Sequence, residues 1–442
     1  MDSTPPGPPG HFLLGHLPEF ARDTLGFVEA AARGYGDIVR FRLAGRTAYL
    51  LNDLDAIEHV LVTDHRNFIK HTFFWRHVRA IFGAGLLTNE GDFWLRQRRL
   101  IQPAFHHERI AGYGRIMVEY TERRLARWRD GDTFDVRAEM NSLTFEIVAR
   151  SLFDAEVAAE VEEIGEAFNT GIEQIAARFR RPYRIPDRVP TPGNRRYRRA
   201  VARMDALIYR IIAEHRDRGA GGDDLLSVLM RVRDDEDRPM SEEQLRDETI
   251  TMLLAGHETT ALALTWTWWL LSQHPAAAGR LEVELDAVLA GRPPRVEDLP
   301  RLAWTEAVVK ESLRLYPPAY SFGREALQEC KIAGYRVPAG TTLFIFPWVL
   351  HRDARWYDDP LAFRPERWAD GFEDRLPRYA YLPFGSGPRL CIGRGFAMIE
   401  AVLIVAAIAR RFRIEWAAEP PRPFTSITLR PTGGLRAQIR AR

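Results

Sequence analysis

The stretch Phe384-Gly385-Ser386-Gly387-Pro388-Arg389-Leu390-Cys391-Ile392-Gly393 constrains this chain more than any other. Its glycines and proline enforce a tight turn, and the turn delivers one cysteine to the start of an apolar helical run. A cysteine placed there lies near unsatisfied backbone N–H groups and the positive end of the helix dipole, and both favour thiolate over thiol. Gly387 and Gly393 let the backbone come close to whatever the sulfur binds. Phe384 can shield the sulfur from water, and Arg389 can meet an anionic group of the same ligand through its planar guanidinium. A lone free cysteine is ordinarily a small buried hydrophobe. That reading suits Cys330, which sits among Glu329, Lys331 and Ile332, but it leaves the pattern around Cys391 unexplained.

This arrangement of Phe, Gly, Arg, Cys and Gly resembles the haem-binding loop of the cytochrome P450 family, the haem-thiolate monooxygenases. The resemblance implies a mainly α fold with a minor β-sheet region, with haem between a long central helix and the cysteine-bearing loop. It makes Cys391 the iron ligand and places Phe384, Gly387, Arg389 and Gly393 around the cofactor. The chain is read as a single domain over residues 1–442, with a proline-rich segment at 1–20.

Ser241-Glu242-Glu243-Gln244 is a capping-box signature, and it predicts a long helix reaching Gln273, just before Pro275. Inside that helix lies Ala255-Gly256-His257-Glu258-Thr259-Thr260. Polar groups within an apolar helix are costly when buried and unpaired. Taken singly, Thr259 would bond back to the Ala255 carbonyl and Glu258 would reach a surface arginine. Together they resemble the oxygen-activation stretch of the same family, which implies a haem-facing Ala255 and catalytic roles in proton delivery for Glu258 and Thr259. Glu311-Ser312-Leu313-Arg314 places an acid and a base one turn apart. By the resemblance, Arg367 completes a buried Glu311–Arg314–Arg367 network that braces the cysteine loop, as structural support and not as catalysts. Trp368 replaces the phenylalanine more usual beside it.

Trp94 and Arg98, four residues apart on a predicted helix, share a face from which an indole N–H and a guanidinium both donate to a carboxylate. A solvated basic helix is the plainer alternative, since Arg96 and Arg99 lie alongside. The resemblance makes Trp94 and Arg98 holders of a haem propionate and Arg324 a second one. It also implies substrate contacts for Phe73, Phe74, Leu254, Ala255, Tyr320, Phe322 and Ile427. The run from Gly85-Leu86-Leu87-Thr88-Asn89 to Gln102-Pro103-Ala104-Phe105-His106 is similar to bacterial relatives of long-chain fatty-acid hydroxylases.

The 62 Lys and Arg residues nearly balance the 60 Asp and Glu, so nothing implies a nucleic-acid partner. Two cysteines exclude a disulfide framework and suit a reducing cytoplasm. No run of about 20 apolar residues or signal pattern appears, and the expectation is a soluble monomer without a membrane anchor. No dinucleotide fingerprint follows a predicted strand. The resemblance implies haem b (iron protoporphyrin IX) as cofactor and O2 as co-substrate. Electrons would come from NAD(P)H through a separate ferredoxin or flavodoxin with its reductase, docking near Arg394. The expected reaction is hydroxylation or epoxidation of a lipophilic small molecule such as a fatty acid, terpene, steroid or macrolide. A haem-thiolate peroxygenase or isomerase and a haem-based gas sensor are the alternatives.

Around these motifs, the pattern predicts strands at Ile38–Leu43 and Thr47–Leu51 joined by a Gly45-Arg46 turn, and a helix over Asp55–Val62. Helices are expected from Arg115 to His215, broken by a proline- and arginine-rich loop at Arg178–Arg199. Loops follow at Gly219–Gly222 and Asp234–Asp237. Hairpin elements are expected at Gly334–Gly340 and Leu343–Val349, and a helix at Phe396–Phe412.

Overall fold

The computed structural model describes residues 4–70, 72–179, 186, 189–219, 221–222, 224–233, 237–416, 419–433 and 435–442. The chain divides into two compact units. One comprises residues 1–76, 310–391 and 427–430, and the other residues 77–309, 392–426 and 431–442.

The first unit is built on a five-stranded sheet of β1 (Ile38–Leu43), β2 (Arg46–Leu51), β3 (Phe68–Ile69), β4 (Phe322–Ala326) and β5 (Thr342–Ile345), in the order β1-β2-β5-β4-β3. Only β2 and β5 run parallel. The β1–β2 turn is Ala44-Gly45, both at positive φ, so Arg46 opens β2 opposite Leu43 instead of belonging to the turn. Alternation along the strands sends Val39, Phe41, Ala48 and Leu50 to the face covered by Leu25, Val28 and Ala31 of the helix Thr24–Tyr35. Ile38, Tyr49 and Leu51 turn to the other face, against Ile57, Val60 and Leu61. These three come from the apolar segment expected as one helix, which divides into a helix, Leu54–Glu58, and a π turn, His59–Thr63. The strand expected over Leu343–Val349 stops at Ile345, because Pro347 opens the helical turn Pro347–Leu350. A second hairpin pairs Cys330–Ile332 with Tyr335–Val337, and burial pushes the Cys330 thiol up, as suits a structural cysteine.

The second unit is helical. Its main members are α1 (Gly91–Ile101), α2 (Val136–Phe153), α3 (Pro192–Arg218), α4 (Glu242–Gln273) and α5 (Arg394–Ala409). Apolar residues lie all round α4, so it is buried along most of its length between α2, α3 and α5. Ser241 caps it by accepting the Gln244 N–H at 3.1 Å. The break expected at Arg178–Arg199 is shorter than its prolines suggest. The preceding helix, Val161–Phe179, continues into it, and α3 begins at Pro192. Thr191 caps α3 through the Asn194 N–H at 3.1 Å, and Pro192 occupies the first turn, where a missing N–H is harmless. Of that loop, residues 180–185 and 187–188 lie outside the described residues, as do 220 and 234–236 of the two later loops. Phe412 leaves the predicted helix for the strand Phe412–Trp416, where Phe412 and Ile414 alternate inward. Among the described residues no helix is long and apolar enough to cross a membrane.

Candidate active site

In the first unit, Gly387 has φ +67°, and a Cβ there would lie 2.0 Å from the Leu61 carbonyl oxygen of the π turn. No other residue fits that position. The Leu390 N–H donates to the Gly387 carbonyl and the Cys391 N–H to the Phe384 carbonyl, both at 3.0 Å. This closes the loop on itself and leaves Cys391 exposed at its end, with Phe384 and Arg389 half-buried. The chain enters α5 at Arg394 with Gly393 as its cap residue.

The loop is braced by a network larger than the expected triad. Glu311 and Arg314 are fully buried and pair in bidentate fashion at 2.8 and 2.9 Å. Glu311 also accepts from the Arg364 N–H (2.9 Å), the Trp368 indole (2.9 Å) and Arg367 Nε (3.4 Å). Arg314 donates its remaining protons to the carbonyls of His351 (2.7 Å), Pro360 (2.6 Å) and Ala362 (2.9 Å). With every site satisfied, the buried pair is tolerated. His351 in turn donates from Nδ1 to the Arg314 carbonyl (3.1 Å) and accepts the Leu382 N–H at Nε2 (2.8 Å). The brace therefore reaches the backbone two residues before Phe384. Burial, reinforced by the Arg314 charge, lowers the His351 pKa to about 3.

In the second unit, the buried middle of α4 is interrupted at one place. Ala255 is exposed and Gly256 and Thr259 are half-buried, whereas Leu254, His257, Glu258 and Thr260 are buried. Thr259 does bond back to the Ala255 carbonyl, at 2.7 Å. Glu258 is only 5% exposed, a carboxylate enclosed within the helix. His257 is packed between the rings of Phe145 and Phe168 and donates from Nδ1 to the Leu253 carbonyl at 2.9 Å. Sequence reasoning missed Glu400 of α5. It is fully buried near Thr260, whose hydroxyl turns to the Gly256 carbonyl at 3.1 Å. Burial holds the Glu400 carboxyl well above the usual carboxylate range, and the neighbouring Thr260 hydroxyl, directed mainly to Gly256, offsets this only in part.

On α1, Trp94 is buried and Arg98 half-buried, while Arg96 and Arg99 are exposed, so the pair is set apart from the solvated arginines. Gln97, also unanticipated, shares their shielded side. It is fully buried, and neither side-chain amide atom has a partner among the described residues. Arg324 on β4 is 8% exposed and donates to the Gly323 carbonyl at 2.9 Å. Tyr320 belongs to the core on the β1 side, and Phe322 lies against Gly385 of the cysteine loop. Ile427 is half-buried. The backbone of Phe73 and Phe74 lies in the helix Phe73–Phe82, but their side chains lie outside the described residues.

The sequence model described as Cytochrome P450 matches residues 5–436. Similar proteins include cyclooctatin synthase of Streptomyces melanosporofaciens, 40% identical over 97% of this chain and 93% of that protein. The cyclooctat-9-en-7-ol 5-monooxygenase of the same organism is 38% identical over 91% of this chain and 87% of its own. Pentalenene oxygenase of Streptomyces avermitilis is 35% identical over 97% and 96%. On this evidence the chain belongs to the cytochrome P450 family and is a monooxygenase of lipophilic small molecules that uses haem, O2 and reductase-supplied electrons.

Proposed function

We propose that Cys391, as thiolate, would hold the iron of a haem b in a monomeric cytoplasmic enzyme whose residues 1–442 act as one domain. The loop geometry carries this reading: a backbone that admits no side chain at Gly387 presents one exposed sulfur at its end. The residues fit the group in other respects. The orphaned amide of Gln97 sits beside Trp94 and Arg98, and the buried middle of α4 opens around Ala255, Gly256 and Thr259. When bound, the haem supplies oxygen activation, for which a thiolate ligand favours O–O cleavage.

The chain's own residues then have distinct tasks. Trp94, Arg98 and Arg324 hold the propionates, and Phe384 with Gly393 shields and shapes the sulfur's surroundings. Thr259 Oγ1 presents a hydroxyl on the open face of α4, and Glu258 passes protons to it from solvent. Leu254, Ala255, Phe322 and Ile427 are the proposed substrate contacts. NAD(P)H is the proposed electron source, through a ferredoxin or flavodoxin with its reductase, and the exposed Arg394 favours an acidic partner. Two relatives are named for cyclooctat-9-en-7-ol and pentalenene, so a cyclic terpene is preferred over a fatty acid as substrate.

The reduced, CO-bound absorption spectrum of Cys391→Ser tests the ligand. Loss of the thiolate-type Soret band is expected, and its survival would overturn the assignment. Titration of terpenes and fatty acids into ferric protein tests the substrate class. A spin-state change with terpenes is expected, and a response to fatty acids alone would reverse the choice.

A further inference from the structure

The segment Gly83-Ala84-Gly85-Leu86-Leu87-Thr88-Asn89 joins the helix Phe73–Phe82 to α1 and is docked on α4 by its backbone. The Ala84 N–H donates to Asp247 Oδ2 at 2.6 Å, and the Leu86 N–H donates to Glu248 Oε2 at 2.9 Å. Gln244, one turn earlier, donates to the Ala84 carbonyl (3.2 Å) and to Glu248 Oε1 (2.9 Å). The approach is close enough to require glycine. A Cβ on Gly83 would lie 1.9 Å from Asp247 Oδ1, and one on Gly85 would lie 2.5 Å from the Asp247 carbonyl oxygen.

Two adjacent acids within a buried helix are unfavourable unless they have work to do there. Asp247 is 4% exposed and Glu248 fully buried. Arg246 balances Asp247 at 2.8 Å and Asp205 of α3 at 2.7 Å, and Arg79, Tyr209 and Glu243 border the same cleft as Asp247. Glu248 has no cationic partner among the described residues. Burial pushes its pKa up to about 7, the Leu86 amide and Gln244 hold it down, and the Asp247 charge adds to the rise. The segment is also stapled to itself. Thr88 Oγ1 donates to the Gly83 carbonyl at 2.6 Å, and the Asn89 side chain donates to the Ala84 carbonyl. Only Glu90 separates its far end, Asn89, from α1, so a shift at Ala84 or Leu86 is carried to the helix bearing Trp94 and Arg98.

From this placement we propose that Asp247 and Glu248 are positioning residues, a two-carboxylate latch that grips the amides of Ala84 and Leu86 and so fixes where α1 presents Trp94 and Arg98. The consequence for haem rests on the propionate roles proposed above, whereas the latch itself does not.

Amide hydrogen exchange on the holoenzyme, together with the rate of haem transfer to apomyoglobin, tests both parts. In Glu248→Leu the amides of residues 84–89 are expected to exchange about tenfold faster while those of α2 keep their rates. Haem release is expected to rise roughly fivefold, and Glu248→Gln, which still accepts from Leu86, is expected to stay within about twofold of wild type. Gly83→Ala displaces Asp247 with every charge intact and is expected to loosen the same amides, which covers the case in which Glu248→Leu does not fold. Unchanged exchange at 84–89 in both variants overturns the latch. Faster exchange with unchanged haem release overturns the positioning of α1. Trp94→Ala run in parallel separates the two readings: unchanged haem release there overturns the propionate assignment, while the exchange rates still decide the latch.

Discussion

Trp368 donates its indole N–H to Glu311 Oε2 at 2.9 Å, and Arg314 Nε holds the same oxygen at 2.9 Å. The tryptophan is therefore a working member of the buried charge network. Its ring also packs on Tyr381, with centroids 4.6 Å apart. Trp368→Phe keeps most of that packing and removes the donor. A loss of about 1.5–3 kcal/mol in denaturant unfolding is expected, the usual range for a missing hydrogen bond to a charged group. Glu311→Gln strands the Arg314 guanidinium and is expected to cost roughly 3–5 kcal/mol. Equal stability of wild type and Trp368→Phe would show that the indole contributes nothing.

His351 predicts an acid-sensitive brace. Its imidazole is neutral in the folded protein, with a pKa of about 3, against an ordinary value of 6.5. Between these values the unfolded chain binds a proton that the folded one does not. This contribution is fully present above about pH 6.5 and is lost as pH falls towards 3, by about 1.4 kcal/mol per unit. Urea midpoints at pH 7 and pH 5 should therefore differ more for wild type than for His351→Gln. Parallel behaviour of the two proteins would mean that the imidazole is not held neutral.

The parts of this site that were legible in the sequence are those written locally. The cysteine loop, the capped α4 and the Glu311–Arg314 pair are each set by spacings of a few residues, and the helix and turn geometry that places them is nearly context-free. What was missed depends on contacts between distant positions. The His351 bond to Leu382 spans 31 residues, the Trp368 bond to Glu311 spans 57, and the Glu248 bond to Leu86 spans 162. No pattern around Glu400 marks it, because an acid on an apolar helix looks the same whether it points to solvent or to the core. Pro192 misled in the opposite sense, since a proline that opens a helix and one that breaks it look alike until the Thr191 cap is seen.

The proton role proposed for Thr259 can be separated from binding. Its hydroxyl, bonded to the Ala255 carbonyl at 2.7 Å, lies on the open face of α4, whereas Thr260 is buried. Thr259→Ala should leave the substrate-induced spin-state change intact and sharply lower the product formed per electron pair supplied, since a lost acid–base group typically costs about 10²–10⁴-fold. Thr259→Ser should recover most of the yield. Coupled turnover in Thr259→Ala would remove this residue from the proton path.

Glu400 reverses the pH argument made for His351. It is fully buried, and burial, offset only in part by the Thr260 hydroxyl, keeps its carboxyl protonated well above the usual range. From about pH 4.5 upward the unfolded chain has released this proton and the folded one has not, so stability falls as pH rises, by up to about 1.4 kcal/mol per unit. Glu400→Gln carries no proton to release and has nearly the same shape. The stability of Glu400→Gln relative to wild type should therefore grow between pH 5 and pH 7, measured by urea unfolding at fixed salt. Taking that difference cancels the opposite slope from His351, which both proteins share. A pH-independent difference would mean that Glu400 is ionised in the fold.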